Sequence, residues 1–262
     1  MVNAVFLFKY LRYKIFALHR KGHGIHSPFL FDFISSVLLK KPESKVIFHF
    51  EKTRNKLLVS EKYFAHDPCC YLNRRLGEPD LKKGKELKVS VPGIKYMKLL
   101  HNIYEYIKPE AVVEIGNSLG CSGFYLALPQ EESVTYIIED LGMHTYAEDL
   151  ARELGQIGTM YLKGSHESIL HVLFQNQHWN GLVIIHLDPQ SNSFPLYLFD
   201  FFNKSSPGSV IILEGIHRSK MAETTWMKIQ HIDNVRLTID LFFLGIVFLR
   251  QELQKENYVI KF

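Results

Sequence analysis

The feature that most constrains the fold is a regular alternation of short apolar runs with helix-like segments, from about residue 91 onwards. The segment before the first run carries Met97, Leu100, Tyr104 and Ile107 at helical spacing. Seven short runs rich in apolar or β-branched residues predict strands, at residues 111–115, 134–138, 160–162, 182–187, 209–213, 235–241 and 245–249. Strands that are apolar throughout need cover on both faces. The alternation therefore predicts a Rossmann-like, doubly wound α/β fold with a mostly parallel seven-stranded sheet and helices on both faces.

A glycine-bearing turn follows the first predicted strand. Gly116 and Gly120 are four residues apart, and Glu114 lies two residues before the first of them. Glycine lets the chain turn sharply off a strand and lets the backbone approach a ligand closely. The free N–H groups of the helix that follows suit a phosphate or a carboxylate. The dinucleotide pattern Gly-x-Gly-x-x-Gly is absent from this turn. We predict a cofactor site here; a nucleotide site and a turn without a ligand are the alternatives.

This segment resembles motif I of S-adenosylmethionine (SAM)-dependent methyltransferases, particularly the catechol O-methyltransferase-like branch, whose pattern is Glu-x-Gly-x-x-x-Gly-x-Ser. The resemblance implies that SAM is the cofactor and that it is bound by Glu114, Gly116, Asn117, Ser118, Gly120 and Ser122. Glu139 ends the second strand, where a carboxylate can accept both ribose hydroxyl protons, and the family pattern favours it over Asp140. Ser165 and His166 follow the third strand and resemble a turn that contacts the adenine. A helix N-cap is the alternative role for Ser165.

The resemblance extends over most of the chain. Residues 23–29, 114–120 and 239–248 together look like a family of class I SAM-dependent methyltransferases found mainly in Bacteroidetes-type bacteria. It implies SAM binding and leaves the methyl acceptor open. The chain departs from the family pattern after two strands. Residues 188–191 read Asp-Pro-Gln-Ser where the family has Asp-Gly-Asn-His, and residues 214–217 read Glu-Gly-Ile-His where it has Asp-Asp-Ile-His. These departures concern catalysis more than the fold.

The chemistry expected of the site depends on acids at the ends of the fourth and fifth strands. Asp188 and Glu214 should both face the cleft, and Asp188 is assigned to catalysis and to cofactor binding, with a structural carboxylate as its alternative. His217 lies on the next loop and is a candidate general base. In the resembled branch a magnesium ion is bound after these two strands. Gly215 offers no side-chain oxygen for it, so no metal is expected.

The predicted function is SAM-dependent methylation of a small-molecule acceptor, at oxygen. The alternative is a catalytically degenerate protein that keeps the methyltransferase fold and binds SAM or another ligand as a binding or regulatory module. The substitutions after the fourth and fifth strands favour the alternative, whereas the intact glycine turn and Glu139 favour retained SAM binding.

Residues 1–90 are predicted to form a helical or irregular extension that packs on the SAM-binding domain of residues 91–262. Lys9 and Arg12 belong to a basic, aromatic helix. Such a helix can lie on a membrane surface or bind RNA, but we favour packing on the core, where it would shape the acceptor pocket. Ser27 followed by Pro28 predicts a helix start and makes a metal site at the nearby histidines the disfavoured alternative.

The composition and the length of the apolar runs argue against a membrane-spanning, a disulfide-rich or a nucleic-acid-binding protein. The longest apolar run, residues 241–249, is too short to span a membrane. Three cysteines, two of them adjacent, make a poor disulfide framework and suit a reducing compartment. A net charge of +4 by itself supports no nucleic-acid partner. We therefore expect a cytoplasmic protein that acts on a small molecule, and the sequence leaves the oligomeric state open, a homodimer included.

Overall fold

The computed structural model describes residues 4–18, 25–59, 93–116, 134–139, 152, 159–163, 181–187 and 197–262. Eight strands of this part form one sheet: β1 Ala111–Ile115, β2 Val134–Glu139, β3 Thr159–Lys163, β4 Gly181–His186, β5 Val210–Glu214, β6 Leu237–Asp240, β7 Leu244–Phe248 and β8 Glu256–Val259. The helices, numbered over the described residues, are α1 Ala4–Phe16, α2 Pro28–Phe33, α3 Ser44–Val59, α4 Ile94–Ile107, α5 Tyr197–Lys204 and α6 Lys220–Gln230. A π-helical turn, Ile34–Leu38, continues α2.

The strand order of the sheet is β3-β2-β1-β4-β5-β7-β6-β8. Neighbouring strands from β3 to β5 are parallel, β7 is antiparallel to both β5 and β6, and β8 is parallel to β6. The α/β prediction is confirmed, but the predicted number of seven strands is wrong. The eighth strand, β8, contains Glu256 and Asn257 and alternates between partly buried and exposed side chains, so it lacks the apolar run by which the others were recognised.

Successive side chains of a strand point to opposite faces of the sheet, so each strand contributes to the core on both sides. Helices cover both of these faces. Val112 and Ile184 belong to one buried cluster with α2 and α4. Val113 and Val183 belong to the other, which contains α5 and α6, including Trp226. The central strands are therefore buried on both sides, as their uniformly apolar sequences require.

The N-terminal helix α2 shares its core with the sheet. The ring of Phe33 lies 5.1 Å from that of Phe248 in β7 and 5.4 Å from that of Tyr106 in α4, both edge-on. The Ser27 hydroxyl accepts a hydrogen bond from the Leu30 N–H at 3.3 Å, so the predicted helix start at Ser27 is confirmed. The boundary predicted near residue 90 lies outside the described residues.

Helix α1 packs on the tight turn between β6 and β7. The rings of Phe6, Tyr10 and Tyr13 surround Phe242 at centroid distances of 5.2, 5.0 and 5.2 Å. The Tyr13 hydroxyl donates to the Ile260 carbonyl at 2.6 Å, which ties α1 to the last residues of the chain. Among the helices of the described ranges, none combines the length and apolar character needed to cross a membrane.

Candidate functional site

Three ionisable side chains meet where β1, β4 and β5 end. Glu114, His186 and Glu214 occupy these adjacent strands, and the sheet register pairs His186 directly with Glu214. Alternate residues of a strand share a face, so all three lie on the face that α4 covers. Open α/β sheets bind ligands beyond the carboxyl ends of their parallel strands. The three residues therefore lie at the edge of the sheet where this fold places its ligands.

His186 bridges the two glutamates. Its Nε2 lies 2.8 Å from Glu114 Oε1, and its Nδ1 lies 2.5 Å from Glu214 Oε2. An imidazole donates from both nitrogens only when it is protonated. The arrangement is therefore an imidazolium between two carboxylates. The Glu114 side chain is fully buried, whereas those of His186 and Glu214 are each 17% exposed.

Two further side chains complete the environment of Glu214. Arg218 Nη2 donates to Glu214 Oε1 at 3.1 Å, and the Tyr96 hydroxyl lies 3.5 Å from Oε2. We call Glu114, His186, Glu214 and Arg218 the charge row. Both oxygens of Glu214 already contact a cationic side chain, which leaves this carboxylate little charge to offer a metal. Within the described ranges, no group of three or more His, Cys, Asp or Glu side chains could hold a metal ion.

The charge row shifts the pKa values of its members in opposite directions. Burial alone would lower the pKa of His186, but the carboxylates of Glu214 and Glu114 outweigh burial and raise it to about 10. Burial alone would raise the pKa of Glu214, but His186 and Arg218 outweigh it and lower that pKa to about 2. Both groups therefore stay charged throughout the neutral range.

Gly116 begins the predicted glycine turn and lies directly against His186. Its φ angle is +110°, a region that residues with a side chain rarely adopt. A Cβ atom at this position would lie 3.0 Å from both the Cβ and the carbonyl oxygen of His186. Glycine is required here for its backbone conformation and also for this close approach to β4.

The structure describes only some of the predicted cofactor residues. β2 pairs with β1 in parallel, and the predicted ribose ligand, Glu139, is the last residue of β2. Of Glu139 itself only the backbone is described. The remaining predicted residues lie outside the described residues: Asn117, Ser118, Gly120, Ser122, Ser165, His166 and Asp188.

His217 belongs to a second polar network, between the β5–α6 loop and α1. Its Nε2 lies 2.8 Å from Asp240 Oδ2 and its Nδ1 3.1 Å from Glu223 Oε1. The Lys9 Nζ of α1 lies 2.7 Å from both Glu223 oxygens, and the Phe242 ring stacks on the imidazole at 5.1 Å. Burial opposes protonation, but the hydrogen bonds and charges of Asp240 and Glu223 raise the pKa of His217. Neither nitrogen can accept a substrate proton in this arrangement.

The predicted site did not include His186, Tyr96 or Arg218. A signal for His186 was present, because it is the one ionisable residue of the strand Gly181–His186 and stands at its carboxyl end. No such signal marks Tyr96 or Arg218. They contact Glu214 from a separate helix and from the following loop.

No sequence profile of a known family matches the chain, and no curated protein is detectably similar to it. Solved structures do share its fold. One is the O-methyltransferase TomG from Streptomyces achromogenes in complex with SAM, with a TM-score of 0.51, 17% identity, and coverage of 83% of this chain and 95% of that chain. Another is the Podospora anserina methyltransferase PaMTH1 bound to SAH, with a TM-score of 0.51, 9% identity, and coverage of 80% of this chain and 89% of that chain. The chain therefore has the fold of these methyltransferases.

Proposed function

We propose that this protein is a SAM-dependent methyltransferase that methylates an oxygen atom of a small-molecule acceptor. One observation carries the proposal: a positive-φ glycine directly follows strand β1, beside a parallel strand that ends in an acid, in a chain with a methyltransferase fold. This combination supplies a close backbone approach and a ribose-binding carboxylate at the same sheet edge.

The proposed cofactor site begins at Glu114 and Gly116 and continues through the turn to Ser122. Glu139 accepts the ribose hydroxyl protons, and Ser165 and His166 contact the adenine. The fully buried Glu114 contributes indirectly, because its bond to His186 fixes the backbone from which the turn starts. Bound SAM would supply a methyl group on a sulfonium centre, which is reactive enough to need no activation by the protein.

In this proposal the protein orients the acceptor and removes its proton. Asp188 directly follows Leu187 at the end of β4 and is the first candidate for the proton acceptor. His217 is the second candidate, and it would have to release either Asp240 or Glu223 before it could take a proton. We also propose that the protein is located in the cytoplasm.

A non-catalytic SAM-binding module is the second candidate function. It is favoured by the contacts of Glu214, because His186 and Arg218 occupy both carboxylate oxygens and leave little charge for a metal or a substrate. Methyl transfer from labelled SAM to components of a cell extract separates the two functions. Labelled product supports the enzyme, and SAM binding without any labelled product supports the module.

The cofactor assignment is tested by calorimetry with SAM on the wild type and on Glu139→Ala. Loss of a charge-assisted contact to both ribose hydroxyls should weaken binding by about 2–3 kcal/mol. Glu110→Ala is the matched control, because Glu110 is an exposed acid before the opposite end of β1. Equal affinity of wild type and Glu139→Ala would make the ribose assignment wrong, and no SAM binding by the wild type would overturn the proposed function.

A further inference from the structure

Helix α1 has a second apolar face, opposite the one that packs on Phe242. Its members are Leu7, Phe8, Leu11 and Ile15, and their side chains are 50%, 68%, 53% and 69% exposed. Residues three and four apart in a helix lie on one side, so these four form a continuous strip. We call this strip the outer face of α1.

The inner contacts of α1 hold the outer face in place. Lys9 pairs with Glu223, and the Tyr13 hydroxyl donates to the Ile260 carbonyl and accepts from the Phe262 N–H at 2.8 Å. A rotation that buried the outer face against the protein would break all of these contacts. The outer face is therefore presented outward by a docked helix about 20 Å long, at 1.5 Å per residue.

The charged residues of α1 are all cationic. The helix contains Lys9, Arg12 and Lys14 and no acidic residue, and Glu223 neutralises Lys9 on the inner side. Arg12 is exposed and follows Leu11 of the outer face, and Lys14 precedes Ile15. A second copy of the chain docked face to face would bring two such basic helices together, which like-charge repulsion opposes. An RNA would satisfy the charges but would leave the apolar strip uncovered.

We infer that the outer face of α1 binds the surface of an anionic phospholipid bilayer. The four apolar side chains enter the boundary between headgroups and acyl chains, while Arg12 stays at the level of the lipid phosphates. The helix lies in the plane of the surface and does not cross it. An anionic bilayer would therefore contact both the apolar strip and the cations of α1.

The test is co-sedimentation of the full-length protein with vesicles of phosphatidylcholine alone and of phosphatidylcholine mixed with phosphatidylglycerol. We expect binding to the mixed vesicles that weakens with salt, and at least roughly tenfold weaker binding to phosphatidylcholine alone, since each cation near an anionic surface adds about a fivefold gain. The triple variant Phe8→Ser, Leu11→Ser, Ile15→Ser should weaken binding by at least roughly tenfold, because it removes most of the inserted apolar surface.

Phe48→Ser is the matched control, because Phe48 lies on α3 and is 68% exposed, as Phe8 is. It should bind like the wild type, and thermal unfolding should show that all variants are folded. Failure of the wild type to bind the mixed vesicles overturns the inference, as does an equal loss in Phe48→Ser. A dimer that the triple variant dissociates, without vesicle binding, identifies a second copy as the partner instead. RNA binding without vesicle binding likewise overturns it.

Discussion

Replacing His186 with leucine should destabilise the protein strongly, because it removes the cation between two carboxylates. Glu114 is fully buried and would lose its imidazolium partner, while Glu214 would keep Arg218 and Tyr96. Removing one member of a buried ion pair costs about 3–5 kcal/mol, because the other charge stays buried. The double variant Glu114→Leu, His186→Leu removes both charges, so we expect it to be more stable than His186→Leu alone.

The same row makes wild-type stability depend on pH. The pKa of His186 is raised from 6.5 to about 10 in the folded protein, so its contribution is complete below pH 6.5 and is lost as pH rises towards 10. One such group changes the free energy of unfolding by at most about 1.4 kcal/mol per pH unit. The pKa of Glu214 is lowered to about 2, so its contribution is present above pH 4.5 and is lost as pH falls towards 2.

Urea unfolding, followed by circular dichroism at several values from pH 6.5 upward, measures this slope. Above pH 6.5 the stability of His186→Leu should fall less steeply than that of the wild type, and only the share due to His217, whose pKa is also raised, should remain. His231→Leu should keep the wild-type slope, because His231 is an exposed histidine at the end of α6. A wild-type stability that does not fall above pH 6.5 would refute the reasoning. So would a His186→Leu variant with the wild-type slope.

Three other predictions concern the expected absence of a metal, the packing of β7 and the network that contacts α1. Any methyl transfer should survive EDTA and gain nothing from magnesium; a manganese ion seen in a soaked crystal at the ends of β4 and β5 would contradict this. Gly245→Ala should cost about 1–3 kcal/mol, because its Cβ would lie 2.5 Å from the Trp226 ring, whereas Gly93→Ala, with no atom within 4 Å of its Cβ, should cost little in the same thermal melt. His217→Leu should leave Asp240 without its imidazolium, cost about 1–3 kcal/mol, and speed tryptic cleavage within α1; an unchanged cleavage rate would show that this network does not hold the helix.

The parts of the fold that local sequence determines were predicted well. The helix indicated by the spacing of Met97, Leu100 and Tyr104 is α4, which buries all three side chains, because such a spacing is a local property of the sequence. β1 was predicted at residues 111–115 because four of its five residues are apolar. β8 was missed because its identity depends on pairing with β6, and its own residues, Glu256–Val259, have no apolar run.

Only the features of the site that a short segment of the sequence determines could be predicted. The turn at Gly116 follows from a strand and a glycine, and its positive φ confirms the sharp turn. The contact of Glu114 with His186 joins residues 72 positions apart. It exists only because the strand order places β4 next to β1, which the pattern of apolar runs does not specify.

The charge row also limits which acceptors the proposed enzyme can use. A general base works best when its pKa is near the working pH. The mutual bond of His186 and Glu214 moves one pKa to about 10 and the other to about 2, so neither group exchanges a proton readily at neutral pH. The same bond, with Arg218, occupies the oxygens through which Glu214 would hold a metal that could acidify a bound hydroxyl. Asp188 then remains the first candidate for the proton acceptor, since His217 would first have to release Asp240 or Glu223, and a carboxylate is a weak base. We therefore expect acceptors whose hydroxyl is already acidic, such as phenols, to be methylated in preference to aliphatic alcohols.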